Sequence, residues 1–342
     1  MFFDDKMGLI SGLREYIPTN EIFISDLKGK TLAIDIFNSL YQFLSAIRDS
    51  KGELLKRNDM VVSHLYGIMW KYGYLLSQGV KLIFVYDGIP NELKSETLSF
   101  RKHEKFKAEE EFEKALKVGD YEKSKMLGKR TSYVDAEIIK SSKKLAHMLG
   151  IDYMDAKEEG EAQAVELVKE RLADYVVTQD YDAIAFNCEN IIRNLGVRNK
   201  GKYINPSIVS SSKVFKILGF SYKQFLYFIY MTGTDYNYGI KNVGIKRAIK
   251  LASMSSNDEE LIDNLIKEGY IQASEKENRQ LELNLIINKF ENPSVYKNDE
   301  INIIKGNFNK QAIIDYLSEL NFNIERFLPM IEKIDQAVSS TI

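Results

Sequence analysis

The sequence predicts an α/β protein with a mainly parallel central sheet flanked by helices. Short apolar runs rich in β-branched and aromatic residues occur at 31–34, 81–86, 151–154 and 175–178, the length of strands buried on both faces. Helix-patterned segments separate them, the alternation that gives right-handed βαβ units and a parallel sheet. Carboxylates stand where these runs end, or open the helix after one: Asp35, Asp87, Glu159 with Glu161, and Asp180 with Asp182.

A chain of 342 residues suits one large domain or two modest ones. Its 44% hydrophobic and 28% charged content is ordinary for a globular protein. A net charge of −2 is not the footprint of a uniformly basic nucleic-acid binder. A carboxylate cluster would hide basic runs elsewhere, so the total neither supports nor excludes a polyanionic partner. The lone Cys188 excludes an internal disulfide and fits a reducing compartment. No apolar run reaches the roughly 18 residues of a membrane span, and no basic-then-apolar leader opens the sequence.

The elements follow in order. After the run at 31–34, an apolar helix is expected over 39–47 and an amphipathic one over 63–76, closed by Gly79. From about 94 to 132 the composition becomes densely charged and poor in core residues. A helix polar nearly all round bridges or projects into solvent. Either it is a solvated helix pair, or it is a protruding arch whose Lys and Arg face a polyanion. Segment 135–149 returns to an amphipathic helix capped by Gly150, and 160–172 reads as a helix between two strands. From 213 onward the pattern is mostly helical, and the aromatics at 225–230 fall at core spacing.

A single Asp at a strand end caps the following helix or shapes a turn. Two paired acidic motifs at strand–helix junctions are costly for capping alone. Carboxylates delivered to one sheet edge repel unless a cation neutralises them, and all-oxygen sites suit Mg²⁺ or Mn²⁺. Two ions about 4 Å apart would activate a water and stabilise a leaving oxygen. Asp235 follows a further apolar stretch, within Gly233-Thr-Asp-Tyr236. The pattern points to metal-dependent phosphoryl transfer. Beyond it, Gly239, Lys241, Asn242 and Gly244 precede a helix that opens with Lys246 and Arg247, free N–H groups and positive charge suited to a phosphate backbone. Tyr41 lies a turn and a half beyond Asp35, where it could stack on a base. Three scattered histidines do not make a histidine-based site.

At these residues the chain resembles the structure-specific 5′ nucleases, and among them the archaeal and eukaryotic flap endonucleases, over about 7–326. The resemblance is carried by Ala33-Ile-Asp35 with Leu40-Tyr-Gln-Phe-Leu44, Val85-Tyr-Asp87-Gly with Leu93-Lys-Ser95, and Glu159-Gly-Glu161-Ala. Thr178-Gln-Asp-Tyr-Asp182, Gly233-Thr-Asp-Tyr236 and the two-glycine segment complete it. It implies a PIN-like 5′-nuclease fold, with a nuclease core over 1–232 that carries a helical arch at about 94–132. Residues 233–342 would hold a helix–two-turn–helix segment and a helical region packed on the same core. It implies two Mg²⁺ ions, replaceable by Mn²⁺, held by Asp35, Asp87, Glu159, Glu161, Asp180, Asp182 and Asp235, some through water. Lys94 and Arg101 would contact the scissile phosphate, Tyr41 would stack on a nearby base, and Arg48 would touch DNA. Gly239, Lys241, Gly244, Lys246 and Arg247 would bind duplex backbone, typically with a K⁺ ion held by carbonyls. Phe322 and Arg326 resemble part of a pocket for a one-nucleotide 3′ flap.

The sequence departs from the family pattern at Asn242, where a glycine is usual, and at Val62, where a threonine is frequent. Six residues precede Met7-Gly8, and Ser339-Ser-Thr-Ile342 is reached without the Gln-x-x-Leu-x-x-aromatic-aromatic tail that binds a sliding clamp. The expected protein is a monomeric, Mg²⁺-dependent endonuclease and 5′→3′ exonuclease of DNA replication and repair, cutting at the base of 5′ flaps. It is expected in the cytoplasm, or in the nucleus of a eukaryote, with no membrane partner. The alternatives are an exonuclease or a bubble or junction nuclease of the same superfamily, and a non-catalytic junction binder. The full carboxylate set argues against the last.

Overall fold

Leu32 and Ile34 turn to one face of the central sheet and Ala33 to the other, and its neighbours alternate likewise. Leu82, Phe84, Tyr86 and Val177 join one buried cluster, while Ile83, Val85, Met154 and Val176 join a second. A strand apolar at every position is therefore a strand with a core on each face. The structure is a computed structural model that describes residues 13, 17–89, 95–179, 182–196, 198–199 and 202–339.

The sheet comprises β1 (Asn20–Glu21), β2 (Thr31–Asp35), β3 (Lys81–Tyr86), β4 (Asp152–Asp155), β5 (Tyr175–Val177), β6 (Ile191–Arg193) and β7 (Ser207–Val209), in the order β1-β7-β6-β5-β2-β3-β4. Pairing is parallel from β6 through β4, with Asp35 opposite Val85 and Ile34 opposite Val177. β7 and β1 add an antiparallel edge. These two strands and β6 are too short, at two or three residues, to stand out as apolar runs.

Asp35 ends β2 and caps α1 (Ile36–Ala46), its Oδ1 accepting from the Phe37 N–H at 3.0 Å. The helix expected over 63–76 runs to Ser77, but its middle is a six-residue π-helical segment, Ile68–Gly73. Its glycines admit large neighbours: a Cβ on Gly67 would lie 2.1 Å from the Phe43 ring, and one on Gly73 would lie 2.8 Å from the Met330 methyl. Gly79, just beyond the helix, has φ +78°.

His64, fully buried in this helix, has Nε2 2.8 Å from the Ser141 hydroxyl, and burial lowers its pKa to about 4. The folded state thus holds it neutral where the unfolded chain, with an ordinary value near 6.5, takes a proton. Its contribution is intact above about pH 6.5 and fades as pH falls towards 4, a loss of roughly 2–3 kcal/mol. Denaturant unfolding at pH 7 and pH 4.5 should show a smaller loss for His64→Gln than for the wild type. Equal losses would show that His64 does not set this dependence.

The charged segment forms α2 (Ser95–Lys117) and α3 (Tyr121–Gly128), two helices packed on one another. Ala108, Ala115 and Leu127 are buried between them, outside both main cores. The pair is tied down at its base, where Ser45 donates to the Lys129 carbonyl at 2.7 Å and Ser124 to the Lys51 carbonyl at 2.6 Å. Next come α4 (Ala136–Met148), capped by Asp135, and α5 (Gly160–Lys169). The helical remainder includes α6 (Tyr222–Thr232), α7 (Ile245–Met254), α8 (Asp258–Lys267) and α9 (Lys276–Glu291). The aromatics of α6 are buried, as core spacing predicts. Both cores draw on residues before and after 232. Among the described residues no helix is long and apolar enough to cross a membrane.

Candidate active site

The carboxyl ends of β2, β3 and β5 open on one edge, where an open α/β sheet places its ligand crevice. Asp35 is the last residue of β2, and Asp87 follows β3. The chain leaving β4 runs beside the chain leaving β3: Ala156 N–H donates to the Tyr86 carbonyl and Gly88 N–H to the Glu158 carbonyl, both at 2.7 Å. That pairing delivers Glu158 and Glu159 beside Asp87. Gly160 opens α5 there, its N–H donating to Asp87 Oδ1 at 2.7 Å.

Position 160 is tight for any side chain. A Cβ would lie 3.0 Å from Asp87 Oδ1 and 3.3 Å from Asp35 Oδ1, so carboxylates from two strands flank the same small space. Glu161, in the first turn of α5, accepts from the Ala183 N–H at 3.2 Å. Through this bond it meets the short helix Asp182–Ala185, which begins with Asp182. Asp235 lies in a turn beyond α6, where Thr234 N–H donates to the Asn237 carbonyl at 3.0 Å.

Tyr236 joins this turn to the strand-end carboxylates by donating its hydroxyl to Glu159 Oε1. Burial, then the Glu159 charge, pushes the phenol well above its ordinary range, and Asp182 and Asp235 push the same way. It therefore stays a donor. Lys289 of α9, only 7% exposed, reaches the same Glu159 oxygen at 2.9 Å and Glu158 Oε2 at 2.7 Å. The sequence assigned no role to Tyr236, although it stands in a quoted motif. Glu158 and Lys289 carried no signal, since only the fold brings α9 to the sheet edge.

Asp180 and Lys94 lie outside the described residues. Arg101 is placed on α2, its side chain likewise outside. Among the described residues no three acidic, His or Cys side chains stand close enough together to hold a metal ion. The donors still suit Mg²⁺, which keeps several waters and takes one or two protein carboxylates at a time. The donor set is entirely oxygen, drawn from separate strand ends around the gap that Gly160 leaves.

The glycine segment has two kinds of glycine. Gly239 has φ +70°, and a Cβ there would meet Gly233 N and Met231 O at 2.7 Å. Gly244 caps α7 at φ −84° with open space where a Cβ would stand, so nothing within the fold itself requires a glycine there. Asn242 adopts φ +67°, the left-handed conformation a glycine would take, and its carbonyl accepts from Arg247 at 2.7 Å. Lys241, Lys246 and Arg247 are exposed.

Tyr41 is 45% exposed on α1, about a turn and a half beyond Asp35. Arg48 instead turns inward, donating to the Leu44 and Gly52 carbonyls and to the Ser132 hydroxyl at 2.8–2.9 Å. Burial lowers its pKa to about 10. It is a bracket between α1 and the arch base. Phe322 is buried, stacked on Tyr66 at 4.1 Å between ring centroids, and forms a wall with Phe327 and Val62; Arg326 beside it is exposed.

A sheet whose parallel edge gathers carboxylates, a charged helix pair tied to the end of α1 and a glycine-led helix define a nuclease-type α/β architecture. The chain matches the XPG N-terminal domain over residues 7–108 and the XPG I-region over 150–235. It is 34% identical over 330 residues to flap endonuclease 1 of Methanothermobacter thermautotrophicus, covering 96% of each chain. With the Picrophilus torridus flap endonuclease 1 it shares 35% over 334 residues, 95% of each. The solved flap endonuclease-1 of Methanococcus jannaschii superposes with a TM-score of 0.71 at 31% identity, covering 97% of this chain and 99% of that one. The chain belongs to the flap endonuclease family.

Proposed function

We propose that the protein is a divalent-metal-dependent, structure-specific 5′ flap endonuclease that hydrolyses phosphodiesters at the base of 5′ flaps in duplex DNA. The observation that supports this reading is the pair Asp35 and Asp87 at the Gly160 position, with Glu159 and Glu161 on either side of that glycine and Asp182 and Asp235 acting on the same Tyr236 hydroxyl. Family membership supports it. Two bound Mg²⁺ ions would supply an activated water and take up charge on the leaving oxygen, as Mn²⁺ also could. These six carboxylates and Asp180 would hold them, while Tyr236 and Lys289 keep Glu159 oriented.

Lys94 and Arg101 would bind the scissile phosphate from the arch base, and Tyr41 would stack on a neighbouring base. The segment from Gly239 to Arg247 would hold duplex backbone through N–H groups, Lys241, Lys246 and Arg247, with K⁺ bound to loop carbonyls. Arg326, above the Phe322 wall, would meet a 3′ flap. The protein would act as a cytoplasmic monomer in replication and repair.

This division of labour is tested at the duplex clamp. Replacing Lys246 and Arg247 together with Ala should weaken binding alike across duplex sequences and flatten the salt dependence by about one to two units of slope. Turnover of saturated substrate should change far less. An unchanged slope would show that these side chains do not touch phosphate.

A further inference from the structure

Lysine is almost never buried without a partner, because taking an ammonium out of water costs several kcal/mol unless charge and hydrogen bonds offset it. Lys289 is buried to 7% exposure, and the partners that hold it are Glu158 and Glu159 of the site, at 2.7 and 2.9 Å. Its Nζ also stands 5.3 Å from the Tyr236 ring centroid. Tyr236 and Lys289 thus grip one oxygen, Glu159 Oε1, from two groups that the fold packs together. The other basic residues of α9 behave differently: Lys276 pairs with exposed Asp263 at 2.6 Å, and Arg279 pairs within its own helix with Glu282 at 2.8 Å. Such surface pairs contribute little.

We propose that Lys289 is a positioning residue and a resident cation of the acidic cluster: it fixes Glu159 and sets how weakly the cluster takes divalent ions. The inference rests on the metal-dependent reading above. A fixed positive charge against two of the carboxylates lowers their repulsion when no metal is bound. The same charge repels an incoming divalent ion, and the repulsion is strong where water is scarce.

The test is calorimetric titration of the full-length protein with Ca²⁺, beside thermal unfolding in EDTA. Lys289→Met and Lys289→Gln, which remove the charge, should bind Ca²⁺ about tenfold more tightly or better, with a lower unfolding midpoint in EDTA. Lys289→Arg should restore near-wild-type affinity. Glu158→Gln, which leaves the ammonium less compensated, should weaken binding about threefold or more, and this variant carries the test if the first two fail to fold. Lys276→Met makes the same charge change on the same helix and should alter nothing. A merely structural Lys289 would lower the unfolding midpoint and leave affinity unmoved. Unchanged or weaker Ca²⁺ binding by folded Lys289→Met and Lys289→Gln overturns the proposal. No Ca²⁺ binding by the wild type would overturn the metal-site reading itself, a separate outcome.

Discussion

Asp87→Ala is expected to lower single-turnover cleavage of a 5′-flapped DNA by about three orders of magnitude or more, because the metals its carboxylate is proposed to help hold would supply most of the transition-state stabilisation. The position is demanding for two reasons. Asp87 faces Asp35 across the space left by Gly160, and its Oδ1 also receives the N–H that opens α5. Asp87→Asn is therefore the companion variant, since it keeps an oxygen for the Gly160 N–H while losing the charge. Both should retain flap binding, which tightens slightly as a negative charge near DNA is removed. Quench-flow rates with saturating Mg²⁺ and gel-shift affinities with Ca²⁺ make the separation. Near-normal turnover by either variant would remove Asp87 from the reacting centre.

Arg101→Ala is expected to cost roughly 2–4 kcal/mol of transition-state stabilisation, by analogy with a lost oxyanion donor. The backbone of Arg101 sits in the second turn of α2. Arg101→Lys should also lose activity if a planar, two-pronged contact is made, since lysine cannot reproduce it. Glu113, exposed near the far end of the same helix, is the control, and Glu113→Gln should be close to neutral. If Arg101→Ala costs no more than Glu113→Gln in single-turnover rate, α2 is only a solvated face.

The parts legible in the sequence are those with a local physical signature. Runs at 31–34 and 81–86 announced strands because both faces are buried, and Asp35 announced a strand end because it caps the next helix. Asn242 could be read as a glycine substitute because asparagine tolerates the left-handed φ it adopts. What was not legible depends on contacts distant in sequence. The π-helical segment has no local sequence signature, and the close packing of Phe43 on Gly67 and Met330 on Gly73 beside it joins residues far apart in sequence. The hydrogen bonds of Arg48 to the Gly52 carbonyl and Ser132 hydroxyl could not be read from the sequence, since Ser132 lies 84 residues away. Phe322 takes its place from Tyr66, more than 250 residues earlier. Lys289 is ordinary in a charged helix and becomes informative only when α9 brings it to Glu158 and Glu159.

The acidic edge is proposed to perform metal-dependent incision at a flap base. The most direct measurement maps the product from a 5′-labelled double-flap DNA incubated with the protein in Mg²⁺, in EDTA, and in EDTA followed by excess Mg²⁺. One internal cut at the base of the flap is expected in Mg²⁺, none in EDTA, and restoration when Mg²⁺ is returned. Incision that persists in EDTA, or intact flap under all three conditions, would contradict the proposal.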